Sequence, residues 1–437
     1  MSKIAIATLG CKVNHYESAG IIEALRRSNH DIVDFRESAD IYIVNTCTVT
    51  SKTDYQSRQL VRRAHRRNPE APIVVTGCYA QIDPERLAVL DGVTLVAGDE
   101  AKELIPRFIE RDEHRSGRII VGNTNHRRPF SSLPVTVMED QTRAYLKIQD
   151  GCDTFCSYCI IPYARGRSRS LPADDVVEAV QGLIGSGYRE IVLTGIHLGH
   201  YGRDLPQSPG LASLLSRIEA DTSLERIRVS SLEPMDITND LLETIGSSRR
   251  LCRHLHLALQ SGDDGILRLM GRDYSTAHFR ELVYRILDHT PETAIGVDIM
   301  VGFPGEGQRE FENTAIFVES LPLAYFHVFP YSSRPGTRAA VMENQIDEHI
   351  KRERARILRE LGAEKRTAFL NRSLGSDLSV LVERKRDRAT GLFRGFSDTY
   401  IPVCLKNGDS SLLNRIVTVN AESIKANKIL GKVKANG

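Results

Sequence analysis

The stretch Gly151-Cys152-Asp153-Thr154-Phe155-Cys156-Ser157-Tyr158-Cys159 places three cysteines in one short loop that follows an apolar segment. Three thiolates are one ligand fewer than the four that a structural zinc ion or a [4Fe-4S] cluster takes. The spacing therefore indicates a cluster with one iron left open for a partner that is not protein. A small zinc knuckle is the alternative, although no fourth Cys or His follows at a knuckle spacing.

Three further cysteines, Cys11, Cys47 and Cys78, each follow a short apolar run that is typical of a buried strand. Helical patterns separate these runs, which predicts repeated β-α units and a parallel sheet. Ligands of such sheets gather beyond the carboxyl ends of the strands, so we expect the three thiols to converge on a second site. Cys252 and Cys404 have no such context, and we expect ordinary buried thiols there.

The first loop resembles the radical S-adenosylmethionine (SAM) superfamily, in which an aromatic residue, here Tyr158, precedes the third cysteine. The resemblance implies that SAM chelates the open iron of a [4Fe-4S] cluster held by Cys152, Cys156 and Cys159. An electron from that cluster then splits SAM and gives a 5′-deoxyadenosyl radical.

Two cysteine triads in this order resemble the methylthiotransferase family of radical SAM enzymes. The matching stretches are Leu9-Gly10-Cys11-Lys12-Val13-Asn14, Asn45-Thr46-Cys47-Thr48-Val49-Thr50 and Gly77-Cys78-Tyr79-Ala80-Gln81. The resemblance implies that Cys11, Cys47 and Cys78 hold an auxiliary [4Fe-4S] cluster, which makes two clusters in all. Sulfur is then carried on the auxiliary cluster to an adenine carbon.

Cys-Lys-Val-Asn followed by Tyr16-Glu17-Ser18 resembles the branch that methylthiolates C2 of N6-threonylcarbamoyladenosine in tRNA, at position 37, 3′ of the anticodon. The isopentenyladenosine branch typically has Gln-Met after that cysteine, and the ribosomal-protein branch typically has Pro-Lys. These two substrates remain alternatives within the family. Outside it, the alternative is a zinc-containing RNA-binding protein.

Composition is that of an ordinary globular chain, with 437 residues, 41% hydrophobic and 26% charged, which predicts two or three domains. The start shows no basic and apolar leader, and no apolar run approaches the roughly 20 residues of a membrane span. We therefore expect a cytoplasmic protein without a membrane partner. Eight cysteines in that compartment favour metal binding or catalysis over disulfides.

The expected fold class is α/β, in three domains. Residues 1–135 form an α/β parallel-sheet domain with the auxiliary cluster. Residues 140–370 form a partial TIM barrel of (β/α)6 type, the radical SAM domain, and end in a connector helix over Ile346–Phe369. Residues 371–437 form a small β-barrel that resembles the OB-like TRAM module. The six barrel strands are predicted at Ala144–Gln149, Glu190–Thr194, Ile227–Ser231, His254–Leu259, Ala294–Met300 and Phe326–Tyr331.

Polar and glycine residues lie at or near the carboxyl ends of these strands, where barrel enzymes bind their ligands. The resemblance implies that the backbone at Gly195 receives the methionyl amino group of SAM and that Glu233 binds the ribose hydroxyls. It also implies that Gln260, Asp298 and Gly302 line the pocket, the last within the stretch that packs on adenine. Tyr158 completes the predicted SAM-binding set. Taken singly, such residues also serve as turns and helix caps.

The net charge of +2 is unevenly distributed. From Asn371 onward there are twelve Lys/Arg and six Asp/Glu, a local charge of +6, so the remainder carries −4. A small basic barrel indicates RNA binding, with a purely structural barrel as the alternative. Other basic residues are expected to contact phosphate: Arg58, Arg62, Arg63, Arg66, Arg67, Arg165, Arg167 and Arg169. The expected partners are the tRNA anticodon stem-loop and an electron donor such as flavodoxin or ferredoxin.

Overall fold

A computed structural model describes residues 1–115, 117–126, 128–139 and 141–434. Its first unit is a six-stranded parallel sheet in the order β2-β1-β3-β4-β5-β6. The strands are β1 (Lys3–Thr8), β2 (Asp31–Val33), β3 (Ile41–Thr46), β4 (Ile73–Gly77), β5 (Val93–Ala97) and β6 (Arg118–Ile120). The helices are α1 (Lys12–Arg27), α2 (Ser51–Arg67), α3 (Cys78–Ile82), α4 (Pro84–Ala88) and α5 (Ile105–Glu110). Every residue of β3 and β4 is buried, as the middle of a parallel sheet requires.

The second unit is an open barrel made of two three-stranded parallel sheets, β11-β10-β7 and β12-β13-β14. Two isolated bridges, Ile227 to Leu251 and Leu232 to Leu257, connect the sheets. The six strands are β7 (Ala144–Lys147), β10 (Glu190–Thr194), β11 (Arg226–Val229), β12 (His254–Gln260), β13 (Ala294–Val301) and β14 (Tyr325–Pro330). A separate two-stranded sheet, β8 (Gln149–Asp150) and β9 (Arg169–Ser170), follows β7 in the chain. The prediction of a six-stranded partial barrel is confirmed.

Helices cover the outside of this barrel. They are α6 (Ile161–Arg165), α7 (Ala173–Gly185), α8 (Leu211–Asp221), α9 (Asn239–Ser247), α10 (Asp264–Met270), α11 (Thr276–His289), α12 (Gln308–Ser320) and α13 (Glu348–Arg372). Alternate strand residues such as Ile191, Leu193 and Ile227 belong to the apolar core beneath the helices. Their neighbours along the same strands, Glu190 and Arg228, are buried and charged. Because successive strand residues face opposite sides, the barrel interior is polar.

The third unit is a closed five-stranded barrel in the order β15-β16-β17-β19-β18. Its strands are β15 (Asp377–Arg386), β16 (Phe393–Ser397), β17 (Pro402–Leu405), β18 (Ile416–Lys425) and β19 (Lys428–Val433). The sequence pattern predicts three of them, at Leu378–Glu383, Tyr400–Leu405 and Arg415–Val419, which correspond to β15, β17 and β18. The two that it missed, β16 and β19, contain Gly395 and Gly431, which interrupt the apolar alternation. A Cβ at Gly395 would lie 2.2 Å from the carbonyl oxygen of Leu381, so close strand packing requires this glycine.

The division into domains at residues 135, 140 and 370 stays a prediction. Residue 140 and residues 435–437 lie outside the described residues. The predicted connector helix is present as α13. Within the described ranges, no helix combines the length and the apolar character needed to cross a membrane.

The C-terminal barrel closes the amino-terminal end of the central barrel through buried arginines. Arg228 donates from Nε to Glu190 at 2.8 Å and from its two Nη atoms to the carbonyls of Ser397 and Asp398, both at 3.0 Å. The Tyr400 ring lies 4.9 Å from the Arg228 guanidinium. The small barrel is therefore an integral part of the structure, and deleting it would remove the carbonyl acceptors of a buried guanidinium group.

Replacing Arg228 with Ala should destabilise the protein by about 3 kcal/mol, because it removes a buried ion pair with Glu190 and two hydrogen bonds to carbonyls of the C-terminal barrel. Urea denaturation followed by circular dichroism measures this change. The matched control is Arg356→Ala, which removes an exposed arginine paired with Glu353 and Glu360 on α13 and should leave the midpoint unchanged. Equal midpoints for the two variants would show that the interface does not depend on Arg228.

Candidate active site

The auxiliary cysteines converge as predicted. Strands β1, β3 and β4 are neighbours in the sheet, and their carboxyl ends deliver Cys11, Cys47 and Cys78 to the same edge. Cys11 is exposed just before α1, whereas Cys47 and Cys78 are buried. All three are free thiols at this edge of the sheet, and their role as cluster ligands stays a prediction. Cys252 and Cys404 are buried free thiols, as expected.

Two residues beside these cysteines fix the spacing of the loops. Gly10 has φ +104°, and a Cβ there would lie 2.8 Å from the Cβ of Cys47. Asn14 donates from Nδ2 to the carbonyls of Leu9 at 2.7 Å and Thr46 at 2.9 Å, which joins the ends of β1 and β3. No sequence pattern indicated a role for Asn14. The sequence signal available for such a role was its position three residues after Cys11, inside the stretch that resembles the family.

A fully buried arginine connects the auxiliary cysteines to the central barrel. Arg165, the last residue of α6, donates from Nε to the Sγ atom of Cys78 at 3.2 Å. Its other nitrogens bind the carboxylate of Glu17 and the side-chain oxygen of Asn14. Because α6 begins two residues after Cys159, the same short segment carries one cysteine loop and contacts the other.

Arg165 belongs to a buried ionic cluster between the two units. Three carboxylates, Glu17, Asp99 and Asp150, lie with one oxygen each within 4.8 Å of the others. Four buried cations pair with them: Lys102, Lys147, Arg165 and Arg169. The cluster therefore carries a surplus cation beside Cys78, which suits a thiolate or another anionic group there.

Burial raises the pKa of the Cys78 thiol to about 12, against the opposing charges of Arg165 and Lys102. Burial likewise raises the pKa of Cys159 to about 12. Iron binds the thiolate form, so cluster binding at either site must offset this cost of deprotonation.

The second cysteine loop is held by hydrogen bonds from several elements. The Cys152 amide donates to the carbonyl of Gly166 at 3.0 Å, and the Ser157 amide donates to that of Met270 at 2.8 Å. Arg272 donates from Nη1 to Cys156 Sγ at 3.4 Å and to Glu233 at 3.1 Å. Glu233, predicted to bind ribose, is therefore tied through Arg272 to a cysteine of the loop.

His197 contacts the first cysteine of this loop. Its Nδ1 lies 3.4 Å from Cys152 Sγ, and its Nε2 lies 2.7 Å from Asp236. Burial lowers the pKa of His197, but the hydrogen bonds to Asp236 and Cys152 outweigh it and raise the pKa to about 9. A cleft of about 470 Å³ opens beside it, lined by His197, His200, Glu233, Asp236, Arg272 and Tyr274. The sequence analysis did not single out His197, which lies two residues after Gly195.

Two of the predicted SAM-binding residues, Gly195 and Gln260, lie at the carboxyl ends of barrel strands. Gly195 packs against Gln149, whose Nε2 donates to the carbonyl of Gly151 at 2.8 Å. Gln260 ends β12 with φ +65°, and its buried Oε1 has no hydrogen-bond partner among the described residues. Such an acceptor is satisfied by a bound ligand, so the position of Gln260 fits a cofactor pocket.

The other predicted pocket residues have partners in the protein. Asp298 lies within β13 and pairs with His256 at 2.9 Å and His327 at 3.4 Å. Burial raises the pKa of Asp298, but these two histidines outweigh it and lower the pKa to about 2. Gly302 has φ +71°, and a Cβ there would meet the Lys351 side chain at 2.2 Å. Tyr158 packs edge-on against Phe303 with ring centroids 6.4 Å apart.

The predicted phosphate contacts of Arg165 and Arg169 are wrong, because both side chains are buried in the ionic cluster. Arg167, between them, is 46% exposed and pairs with Asp153. On α2, Arg58 is half-buried and donates to the Tyr79 hydroxyl at 2.7 Å. The remaining arginines of that helix are exposed: Arg62, Arg63, Arg66 and Arg67.

Comparison with known proteins shows the family of the chain. Residues 3–98 match the uncharacterized protein family UPF0004, and residues 146–318 match the Radical SAM superfamily. Over 425 residues the chain is 40% identical to the threonylcarbamoyladenosine tRNA methylthiotransferase MtaB of Bacillus subtilis, covering 96% of this chain and 93% of that protein. The chain belongs to the radical SAM methylthiotransferase family.

A second methylthiotransferase, the tRNA-2-methylthio-N(6)-dimethylallyladenosine synthase of Carboxydothermus hydrogenoformans, is 32% identical over 95% of each chain. The solved radical SAM methyltransferase TsrM of Kitasatospora setae, with tryptophan substrate and aza-SAM bound, has a TM-score of 0.57 at 16% identity and covers 78% of this chain and 75% of its own. That likeness concerns the fold alone. Family membership makes the chain an enzyme, and a zinc-containing RNA-binding protein is not favoured.

Replacing Arg165 with Met should destabilise the enzyme by roughly 3–5 kcal/mol, because the buried Glu17 carboxylate and the side-chain oxygen of Asn14 lose the hydrogen bonds that Arg165 donates. Chemical denaturation monitored by circular dichroism measures the loss. Arg167→Met, two residues further along the same loop, is the control and should leave the midpoint within error, because its ion pair is exposed. If the midpoint of Arg165→Met equals that of the control, Arg165 is not the residue that links the two units.

Proposed function

We propose that this enzyme methylthiolates C2 of N6-threonylcarbamoyladenosine in tRNA, at position 37 on the 3′ side of the anticodon. The observation that carries the proposal is the likeness to the Bacillus subtilis enzyme named for this nucleoside, which extends over 96% of the chain. The stretch from Cys11 to Asn14, with its lysine after the cysteine, supports the same branch.

The reaction needs an iron–sulfur cluster and SAM, and we propose that the chain holds two clusters. Cys152, Cys156 and Cys159 would hold the one that binds SAM. Cys11, Cys47 and Cys78 would hold the other, beside the surplus buried cation at Arg165. When bound, these groups supply a 5′-deoxyadenosyl radical and a sulfur donor, since the C2–H bond of adenine is not acidic enough for a general base.

In this proposal, the residues of the enzyme bind SAM, orient the reacting groups and keep water away from them. Gly195 and Gln260 lie at the carboxyl ends of barrel strands and Glu233 lies beyond the end of β11, and all three would contact SAM. Arg272 donates hydrogen bonds to both Glu233 and Cys156 and so holds the two side chains next to each other. The roles of Tyr158, Asp298 and Gly302 toward SAM remain predictions. The ionic cluster at Arg165 would hold the two cysteine sites at a fixed separation and keep water from the path between them.

The anticodon stem-loop would bind across the basic surfaces of two units. The exposed arginines of α2 are in the same unit as the auxiliary cysteines. The C-terminal barrel, which we propose to be an RNA-binding TRAM-like module, belongs to the segment with the local charge of +6 and is held against the central barrel by Arg228. A base of the unpaired anticodon loop could then turn outward and enter the site. Flavodoxin or ferredoxin would supply the electron that splits SAM. The enzyme would work in the cytoplasm, which is reducing and contains its tRNA substrate.

The direct test uses anaerobically reconstituted enzyme and anticodon stem-loops that carry threonylcarbamoyladenosine, dimethylallyladenosine or unmodified adenosine. Nucleoside mass spectrometry should find the 2-methylthio product from the first stem-loop, because the proposal assigns this nucleoside as substrate. The same stem-loop without SAM is the control. Conversion of the dimethylallyl stem-loop in place of the threonylcarbamoyl one would contradict the proposed substrate while leaving the reaction type in place.

A second experiment separates the two cysteine sites. Reconstituted enzyme should carry about eight irons, four per cluster. Replacing Cys11, Cys47 and Cys78 with Ala should remove half of the iron and all methylthiolation, and leave 5′-deoxyadenosine formation in place. Replacing Cys152, Cys156 and Cys159 should abolish both activities. The double variant Cys252→Ala, Cys404→Ala is the matched control and should keep its iron. Loss of 5′-deoxyadenosine formation in the first variant, with four irons retained, would contradict this division of roles.

A further inference from the structure

The outer surface of the second cysteine loop carries a group of aromatic and basic side chains. At its centre is Phe155, the residue directly before Cys156. The Phe155 ring packs edge-on against Tyr163 with ring centroids 5.6 Å apart, and the Arg167 guanidinium lies 5.1 Å from its centroid. Arg338 donates from Nη2 to the Phe155 carbonyl at 3.1 Å. We call these four residues, Phe155, Tyr163, Arg167 and Arg338, the loop patch.

The loop patch is open to solvent. Tyr163 is 41% exposed, the Arg167 side chain is 46% exposed, and Arg338 is exposed as well. None of the four residues belongs to the lining of the cleft beside His197. A partner that covers the loop patch would therefore leave that cleft free for SAM and the substrate base.

The two sides of the loop make different contacts. The Sγ atoms of Cys152 and Cys156 lie against His197 and Arg272, both of which line the cleft. The carbonyl and ring of Phe155 instead meet the exposed residues of the loop patch. Because Phe155 is bonded directly to Cys156, the patch is the part of the surface one residue away from a predicted cluster ligand.

The backbone of Phe155 adopts a conformation that does not suit its side chain. Its φ is +49°, in the left-handed region that residues with a Cβ rarely occupy. Gly or Asn would turn the chain there more easily. The ring is only half-buried, so burial offsets little of this strain. An aromatic residue at this position therefore fits a role at a surface that another molecule covers.

The loop patch has an excess of positive charge. Arg167 pairs with Asp153 at 3.3 Å, whereas Arg338 forms no ion pair with any residue that the structure describes. Two guanidinium groups thus stand beside one carboxylate. Aromatic residues and arginine are enriched where proteins bind each other, and the excess charge favours a partner with an acidic surface.

The chemistry of the loop indicates what kind of partner this is. In the proposed function, the cluster held by Cys152, Cys156 and Cys159 takes up one electron before SAM is split. That electron comes from another molecule, and electron transfer between proteins slows steeply with distance. The donor must therefore bind where the loop reaches the surface. Electron carriers form small, short-lived interfaces, which a patch of four residues with its surroundings can provide.

We propose that the loop patch is the docking surface for a small acidic electron-carrier protein of the flavodoxin or ferredoxin type. This rests on the proposed function and adds to it the place where the donor binds. In the step concerned, the carrier loses one electron, the cluster gains it, and no atom passes between the proteins. Arg167 and Arg338 attract the acidic carrier, and Phe155 and Tyr163 contact it.

The test measures substrate-free formation of 5′-deoxyadenosine, driven either by reduced flavodoxin or by dithionite. The double variant Arg167→Gln, Arg338→Gln should lower kcat/KM for flavodoxin roughly 10-fold at low salt, because charge complementarity mainly raises the rate of encounter. The difference from wild type should narrow at high salt, where ions screen the attraction. The rate with dithionite should stay the same, because a small reductant needs no docking surface.

A matched control removes the same charge elsewhere. The double variant Arg189→Gln, Arg217→Gln breaks two exposed ion pairs, one just before β10 at the amino-terminal end of the barrel and one on α8. Its net charge equals that of the first double variant, and it should behave as wild type with both reductants.

A third variant, Phe155→Asn, removes the ring and suits a positive φ. It should keep its iron content and its denaturation midpoint, and lower only the rate with flavodoxin.

Each outcome decides the matter. Equal rates with flavodoxin in the two double variants overturn the inference. An equal loss with flavodoxin and dithionite would show that the patch supports the loop itself, and also overturns it. So does weaker stem-loop binding with an unchanged flavodoxin rate, which assigns the patch to RNA. Wild-type enzyme that works with dithionite but with neither flavodoxin nor ferredoxin overturns it as well. Wild-type enzyme that forms no 5′-deoxyadenosine with dithionite would instead refute the proposed function.

Discussion

The arrangement of the two cysteine sites depends on one buried ion pair network, centred on Arg165. Its guanidinium comes from the short helix that follows the second cysteine loop and reaches Cys78, Asn14 and Glu17 in the N-terminal sheet. A guanidinium withdrawn from water is stable only when its hydrogen bonds are satisfied. These partners come from elements on both sides of the interface, so the network favours a single docking geometry. The separation of the two sites is thereby set by packed side chains and not by a flexible linker.

The same physical constraint acts at the opposite end of the central barrel. Glu190 is surrounded by arginines that also donate to carbonyls of the C-terminal barrel, which ties the basic module to the strands that carry the site. A TIM-type barrel is usually filled with branched apolar side chains. This six-stranded barrel has charged residues inside, and its apolar residues lie under the outer helices. An interior of that kind is suited to a polar ligand, and the basic module keeps a constant position relative to it.

Much of the fold and the placement of the cysteines could be predicted from short sequence patterns. Apolar runs before Cys11, Cys47 and Cys78 indicated strands, and the rule that parallel strands end on one edge brought those thiols together. The same approach failed for Arg165 and Arg169, because a basic residue next to a loop has the same local pattern whether it meets phosphate or a buried carboxylate. It also missed β16 and β19, in which Gly395 and Gly431 interrupt the alternation, and it gave no role to Asn14 or His197.

The sequence by itself determined which residues carry thiols, where the strands that present them end, and to which family the motifs are similar, since these depend on contacts local in the chain. The tertiary structure decided which charges are buried and which carboxylates they meet. Glu17 and Arg165 are 148 residues apart. No local pattern encodes such a pairing, because the free energy of a buried charge depends on every group that surrounds it after folding.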